Sequence, residues 1–220
     1  MINAVIFDMD GVITDSEPLH HEAELGLLEA HHVHINKESL LQYTGTGTRS
    51  MLNAMIQTYP IEASVDQLFD ELIQRLCVLF ETKVTPIPHV IDLIVFLRNK
   101  GVPIAVASSS AKTIISRALR RLEIDSYFNT IVSGEDVTHS KPAPDIFLET
   151  ARRLDVSPKN CVVIEDSTNG VLAAKSAGMT CIGFHSPNSF GQNLDAADMH
   201  TDSLIDLFPY FSKLFDRSPV

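Results

Sequence analysis

Five short apolar runs, separated by helical patterns, constrain this chain more than any other feature. The first, residues 3–7 (NAVIF), is rich in branched apolar residues and stops at Asp8. Similar runs lie at 102–107 (VPIAVA), 130–133 (TIVS), 161–164 (CVVI) and 180–184 (TCIGF). Apolar character without alternation is the pattern of strands buried on both faces, as in parallel sheets. Helical periodicity separates the runs at 88–100, 112–122, 144–154 and 169–177, with Gly101 and Gly178 as stops. Alternation of this kind predicts an α/β fold, a Rossmann-like core with a mostly parallel sheet.

One stretch breaks the rhythm. Between residues 7 and 102 almost no strand signal appears. Helical spacing instead marks 20–29, 37–43, 49–58 and 65–81, and prolines punctuate at Pro60, Pro86 and Pro88. A connection in an α/β unit normally runs a few residues, so this stretch is expected to be an inserted all-helical cap domain. The expected division is an α/β core at 1–14 and 86–220 and a helical cap at 15–85.

Composition narrows the classes of function. A chain of 220 residues buries a core without disulfide or metal staples. It carries 17 Lys and Arg against 28 Asp and Glu, for a net charge of −11 and no basic run. That argues against nucleic acid and anionic membrane surfaces as partners. With no Trp and its Tyr and Phe unclustered, the chain offers no base-stacking platform. No apolar run reaches the length of a membrane span. Cys77, Cys161 and Cys181 are few, odd in number and far apart, which suits a reducing, cytoplasmic setting. The opening MINAVIFDMDG lacks the basic start of a signal peptide.

In a doubly wound sheet, ligands bind beyond the carboxyl ends of the strands. The residues expected there are Asp8 and Asp10 after the first run, Ser108, Ser109 and Ser110 after the second, and Glu165 and Asp166 after the fourth, with Lys141 in SKPAPD delivered between them. Several carboxylates gathered at one edge repel unless a hard cation neutralises them, and oxygen ligands of this kind fit Mg²⁺. Hydroxyls, helix-start N–H groups and one Lys make a phosphate cradle. Asp8 and Asp10, two apart, would face the same side if the strand continued. One could then act as a covalent nucleophile and the other as a general acid and base. Gly11 lets the backbone turn tightly and approach a phosphate.

Four motifs now stand in order: FDMDGVITDSE at 7–17, VASSS at 106–110, SKPAPDIF at 140–147 and IEDSTNGVLAAKSAGM at 164–179. Together they resemble the haloacid dehalogenase superfamily, and more narrowly its β-phosphoglucomutase and sugar-phosphate phosphatase branch. The helical insert falls where that branch carries its cap. The resemblance implies that Asp8 is phosphorylated and that Asp10 protonates the leaving oxygen, then activates water or an acceptor hydroxyl. It implies that Ser108 and Lys141 hold phosphoryl oxygens, with Gly11 and Ser109 beside them. Asp166 and Glu165 would hold Mg²⁺ with Asp8 and the Asp10 backbone carbonyl. The dehalogenase members are disfavoured because their chemistry needs no such metal site.

The expected activity is Mg²⁺-dependent hydrolysis of small phosphate monoesters, with a phosphomutase sharing every core residue as the alternative. The expected partner is a small phosphorylated metabolite, and a capped domain of this size can work as a monomer. A phospho-aspartate signalling module is a remote third reading. It would need neither an acid two residues after the nucleophile nor a cap. In the insert, Arg49 after GTGT and His20 resemble substrate-side residues of the branch; each could equally be a structural helix residue. The HHVH segment at 31–34 has no carboxylate at metal spacing and reads as a solvated loop. One of Ser108–Ser110 is expected to cap the helix that follows. The branch commonly has Pro-Gly-Val where this chain has Pro88-His89-Val90, which bears on the turn into the first helix after the cap.

Overall fold

The computed structural model describes residues 2–40, 47–188 and 190–215. The chain divides into two compact units, Met1–Asp15 with Thr85–Val220 and, between them in sequence, Ser16–Val84.

The first unit is built on a six-stranded sheet of β1 (Ala4–Phe7), β2 (Ile104–Ser108), β3 (Thr130–Ser133), β4 (Cys161–Glu165), β5 (Thr180–Phe184) and β6 (Met199–Thr201). The order is β3-β2-β1-β4-β5-β6, and every pairing is parallel. β1, β2 and β4 are buried along their whole length, which explains their unalternating sequences. The order reverses between β1 and β4, and there the sheet opens a crevice beyond its carboxyl ends. The backbone N–H of Asp8 donates to the Ile164 carbonyl at 3.0 Å across that point.

Helices of the same unit cover the sheet. They are α5 (Val90–Asn99), α6 (Lys112–Arg121), α7 (Asp145–Leu154), α8 (Thr168–Ser176) and α9 (Leu207–Phe215). One apolar cluster joins β1, β2 and β4 to α7 and α8, with Phe147 and Val171 fully buried. Each such side chain contributes roughly 1.5–3 kcal/mol by leaving water.

Boundaries moved where local chemistry dictates. β2 begins at Ile104 rather than 102, after Pro103, which has no N–H for a ladder. α5 begins at Val90 because His89 takes the left-handed conformation, φ 66° and ψ 0°. This is the backbone shape a glycine would hold at that turn. β6 and α9 lie in the C-terminal segment, beyond the five apolar runs. β6 is three residues long with one residue exposed, too short to show a period.

The second unit contains α1 (Glu17–Ala30), α2 (Lys37–Leu40), α3 (Thr48–Thr58) and α4 (Val65–Thr82), and no strand among its described residues. α1 starts three residues earlier than the periodicity suggests, with Pro18 in its first turn, where a missing N–H costs nothing. Ser64 and Gln67 form a reciprocal capping box that starts α4. Leu19, Ala23 and Leu27 of α1 and Leu68, Leu72, Leu76 and Phe80 of α4 supply the apolar faces on which these two helices pack. Residues 41–43 of the expected 37–43 helix, and Gly45 and Thr46 of GTGT, lie outside the described residues.

Candidate active site

β1 ends at Phe7, as the apolar run does, so the condition under which Asp8 and Asp10 would share a strand face is not met. The chain turns instead. Gly11 adopts φ 79°, and the N–H groups of Ile13 and Thr14 both donate to the Met9 carbonyl, at 2.8 and 2.9 Å. The positive φ is why glycine is required at this turn.

Lys141 joins the strand ends. Its ammonium lies 2.6 Å from Asp8 Oδ1 and 2.7 Å from Glu165 Oε1, with the three side chains only 7%, 9% and 1% exposed. It also donates to the Ala107 carbonyl at 3.3 Å. Burial alone would lower the lysine's pKa, but the Asp8 and Glu165 carboxylates outweigh it and hold the group well above the usual lysine range. Burial pushes the Asp8 carboxyl up to about 7; Lys141 draws it back, while Glu165 and Asp10 add to the rise.

Oxygens of Asp8, Glu165 and Asp166, all buried, lie within 4.8 Å of one another. Asp8 and Glu165 share one ammonium, and Asp166 adds a third carboxyl group beside them. That excess, with hard oxygen donors alone, fits a divalent cation such as Mg²⁺. Glu165 is further held by Ser167, whose N–H and hydroxyl donate to Oε2 at 2.8 and 2.9 Å. The Ser167 hydroxyl also accepts the Gly170 N–H at 3.0 Å, capping α8.

Asp10 is half-buried, and its Oδ2 accepts the Ser110 hydroxyl at 2.8 Å, with the Ser108 hydroxyl at 3.4 Å. Ser108, the last residue of β2, is fully buried, whereas Ser109 is exposed. None of the three serines caps α6: the cap position is Ala111, and the Ser108 oxygen instead accepts the Ser110 N–H at 3.1 Å. The short local bond takes the hydroxyl that the helix would have used.

The structure thus gathers Asp8, Asp10, Ser108, Lys141, Glu165 and Asp166 at one sheet edge. Arg49 and His20 belong to the second unit. There the Arg49 guanidinium pairs with Asp66 and sits 4.4 Å from the centre of the Phe69 ring. His20 meets the Phe80 ring edge-on at 5.8 Å. His31 of the HHVH segment does have a carboxylate neighbour, Glu71 at 3.0 Å, contributed by α4 forty residues away and so invisible to local spacing. Sequence reasoning also passed over Ser167 and Gly170. The signal for both was present in EDSTNG, where a serine N-cap precedes a glycine in the first helical turn.

Comparison with known proteins gives the family. The model of the haloacid dehalogenase-like hydrolase family matches residues 5–184. A phosphorylated carbohydrates phosphatase of Thermotoga maritima is 34% identical over 178 residues, covering 81% of this chain and 82% of that protein. A β-phosphoglucomutase of Bacillus subtilis is 33% identical over 214 residues, 94% of this chain and 92% of its own. Among solved structures, a CbbY variant of Rhodobacter sphaeroides in complex with xylulose-(1,5)bisphosphate superposes with a TM-score of 0.84 at 27% identity, covering 94% of this chain and 97% of that one. The chain belongs to the haloacid dehalogenase-like hydrolases. Within them it falls in the branch of β-phosphoglucomutases and sugar-phosphate phosphatases.

Proposed function

We propose that the protein hydrolyses small phosphate monoesters, sugar phosphates in particular, through a phosphorylated Asp8. The observation that carries this reading is the placement of the Lys141 ammonium between Asp8 and Glu165, with Asp166 beside them. An Asp held against a buried cation at a sheet edge is poised to attack a phosphorus atom whose oxygens that cation also attracts.

In the first step an Asp8 oxygen forms a bond to phosphorus as the bond to the sugar oxygen breaks. Asp10 gives its proton to that departing oxygen. In the second step Asp10 takes a proton from water, and the water oxygen displaces Asp8 from phosphorus, releasing phosphate and restoring both carboxyl groups. Ser108 and Lys141 hold the phosphoryl oxygens, and the turn at Gly11 and the backbone at Ser109 line the same cradle. Asp8, Glu165 and Asp166, with the Asp10 carbonyl, would hold Mg²⁺, which supplies positive charge opposite the transferring group. The Ser16–Val84 unit is read as the cap, with Arg49 and His20 on the substrate side and closure excluding bulk water.

The kinship with a β-phosphoglucomutase supports a second reading, in which a sugar hydroxyl replaces water in the second step. One assay separates the two. Phosphate release is followed across a panel of monoesters that includes β-glucose 1-phosphate, with and without Mg²⁺. Parallel wells follow glucose 6-phosphate with a bisphosphate primer. Phosphate release lost with EDTA and in Asp8→Asn is the expected result. Glucose 6-phosphate with little free phosphate would move the answer to the mutase. Full turnover by Asp8→Asn would overturn the nucleophile assignment.

A further inference from the structure

The two hydroxyls near Asp10 are not equivalent. Ser110 donates to Oδ2 at 2.8 Å, within the normal range for an O–H···O bond, while Ser108 at 3.4 Å lies outside it. A serine hydroxyl has one proton to give. Ser110 has committed its proton to Asp10, which leaves Ser108 to serve the phosphoryl group.

Ser110 is itself fixed from behind. The Ser133 hydroxyl, at the end of β3, donates to the Ser110 carbonyl at 2.7 Å. Gly134 lets that segment come close, since a Cβ there would fall 2.8 Å from the Ser109 carbonyl oxygen. Ser133 is fully enclosed, and its own oxygen accepts the Glu135 N–H at 3.2 Å. Two segments more than twenty residues apart thus hold one hydroxyl against one carboxyl group.

We propose that Ser110 is a positioning residue for Asp10, with Ser133 and Gly134 as its support. The inference rests on the phosphatase reading above, and deepens it. A donor at Oδ2 fixes the rotamer of the Asp10 side chain. It also makes Oδ2 the accepting oxygen of the neutral acid, so that the transferable proton sits on Oδ1. Ser110 therefore acts on the proton transfer that Asp10 carries out.

The test uses two leaving groups. A sugar alkoxide needs a proton as it departs, whereas p-nitrophenolate leaves without one. Ser110→Ala is expected to lower kcat/KM for the best sugar phosphate of the panel about tenfold, the loss of one hydrogen bond to an ionisable group. For p-nitrophenyl phosphate, kcat/KM should stay within about twofold, because departure of that anion draws little on general acid catalysis. Ser110→Thr, which keeps the hydroxyl, should restore the ratio, and Ser133→Ala should shift it in the same direction by less. An equal loss on both substrates, or no loss on either, would overturn the proposal. Failure of the phosphatase reading shows separately, as turnover that survives Asp8→Asn.

Discussion

A Cβ at position 170 would fall 1.6 Å from Oε1 of Glu165. The first turn of α8 and the carboxyl group at the end of β4 can share that space only when residue 170 is glycine. The same oxygen bonds Lys141, so Gly170 underwrites the ion pair at the centre of the site. Gly170→Ala improves helix propensity by about 1 kcal/mol but must expel Glu165. Turnover should fall on the order of a hundredfold through the displaced site. Phosphate release and a thermal melt on the same sample check this, and unchanged turnover would refute it.

Lys141→Met removes the ammonium that both Asp8 and Glu165 face. Breaking a buried pair from one side costs about 3–5 kcal/mol. The loss should depend on pH. The Asp8 carboxyl is raised by burial to about 7, so the stability tied to its protonated form is present below the ordinary carboxylate pKa and is lost as pH rises through about 7. Without Lys141 that loss grows. Urea unfolding in EDTA at pH 5 and pH 8 should show the larger defect at pH 8.

Glu24, on α1, is likewise pushed up to about 7, chiefly by burial, with His20 drawing it back and Glu17 adding to the rise. Its folded pKa lies above the unfolded one, so ionisation opposes folding as pH climbs from the ordinary glutamate range through about 7. Glu24→Gln should therefore raise stability by about 2 kcal/mol at pH 8 and change little at pH 4. Chemical denaturation at the two pH values measures the difference; equal effects at both would contradict the assignment.

His89 holds φ 66° at the entry to α5, a conformation that carries a steric cost for any residue with a Cβ. His89→Gly relieves that cost and loosens the unfolded chain, leaving a net gain of about 0.5–1 kcal/mol. A higher urea midpoint with an unchanged m-value is expected. A lower midpoint would mean that the His89 side chain contributes more than its distant pairing with Asp92 at 3.8 Å suggests.

Arg49 and Asp66 are both well exposed, so their ion pair contributes at most about 1 kcal/mol to stability. Arg49→Ala should leave the melting temperature nearly unchanged. If Arg49 meets the distal groups of the substrate, KM rises about tenfold with kcat little altered, the signature of lost uniform binding. An unmoved KM would return Arg49 to a structural role beside Phe69.

The strand ends were legible because burial on both faces leaves an unbroken apolar run, and Asp8, Ser108 and Glu165 stand where those runs stop. The turn at Gly11 was legible because a positive φ admits little else. The partners of Ser110, Ser133 and Gly134 were not. Each of these residues matters through a contact with a segment that local spacing does not reach, or through the room it leaves for another segment. The capping role expected of the serines failed for the same reason: Ala111 took the cap once Ser108 and Ser110 were drawn toward each other and toward Asp10.

By itself, the sequence determined the alternation of strand and helix, the long helical insert after β1, and the polar residues delivered to the sheet edge. Those properties are local, set by periodicity, backbone preference and the solvation of each side chain. Tertiary structure alone decided that β1 lies between β2 and β4, that Lys141 reaches Asp8 and Glu165 together, and that Ser110 rather than Ser108 grips Asp10. Such relationships depend on distances between atoms far apart in the chain, which only the packed sheet and its helices define.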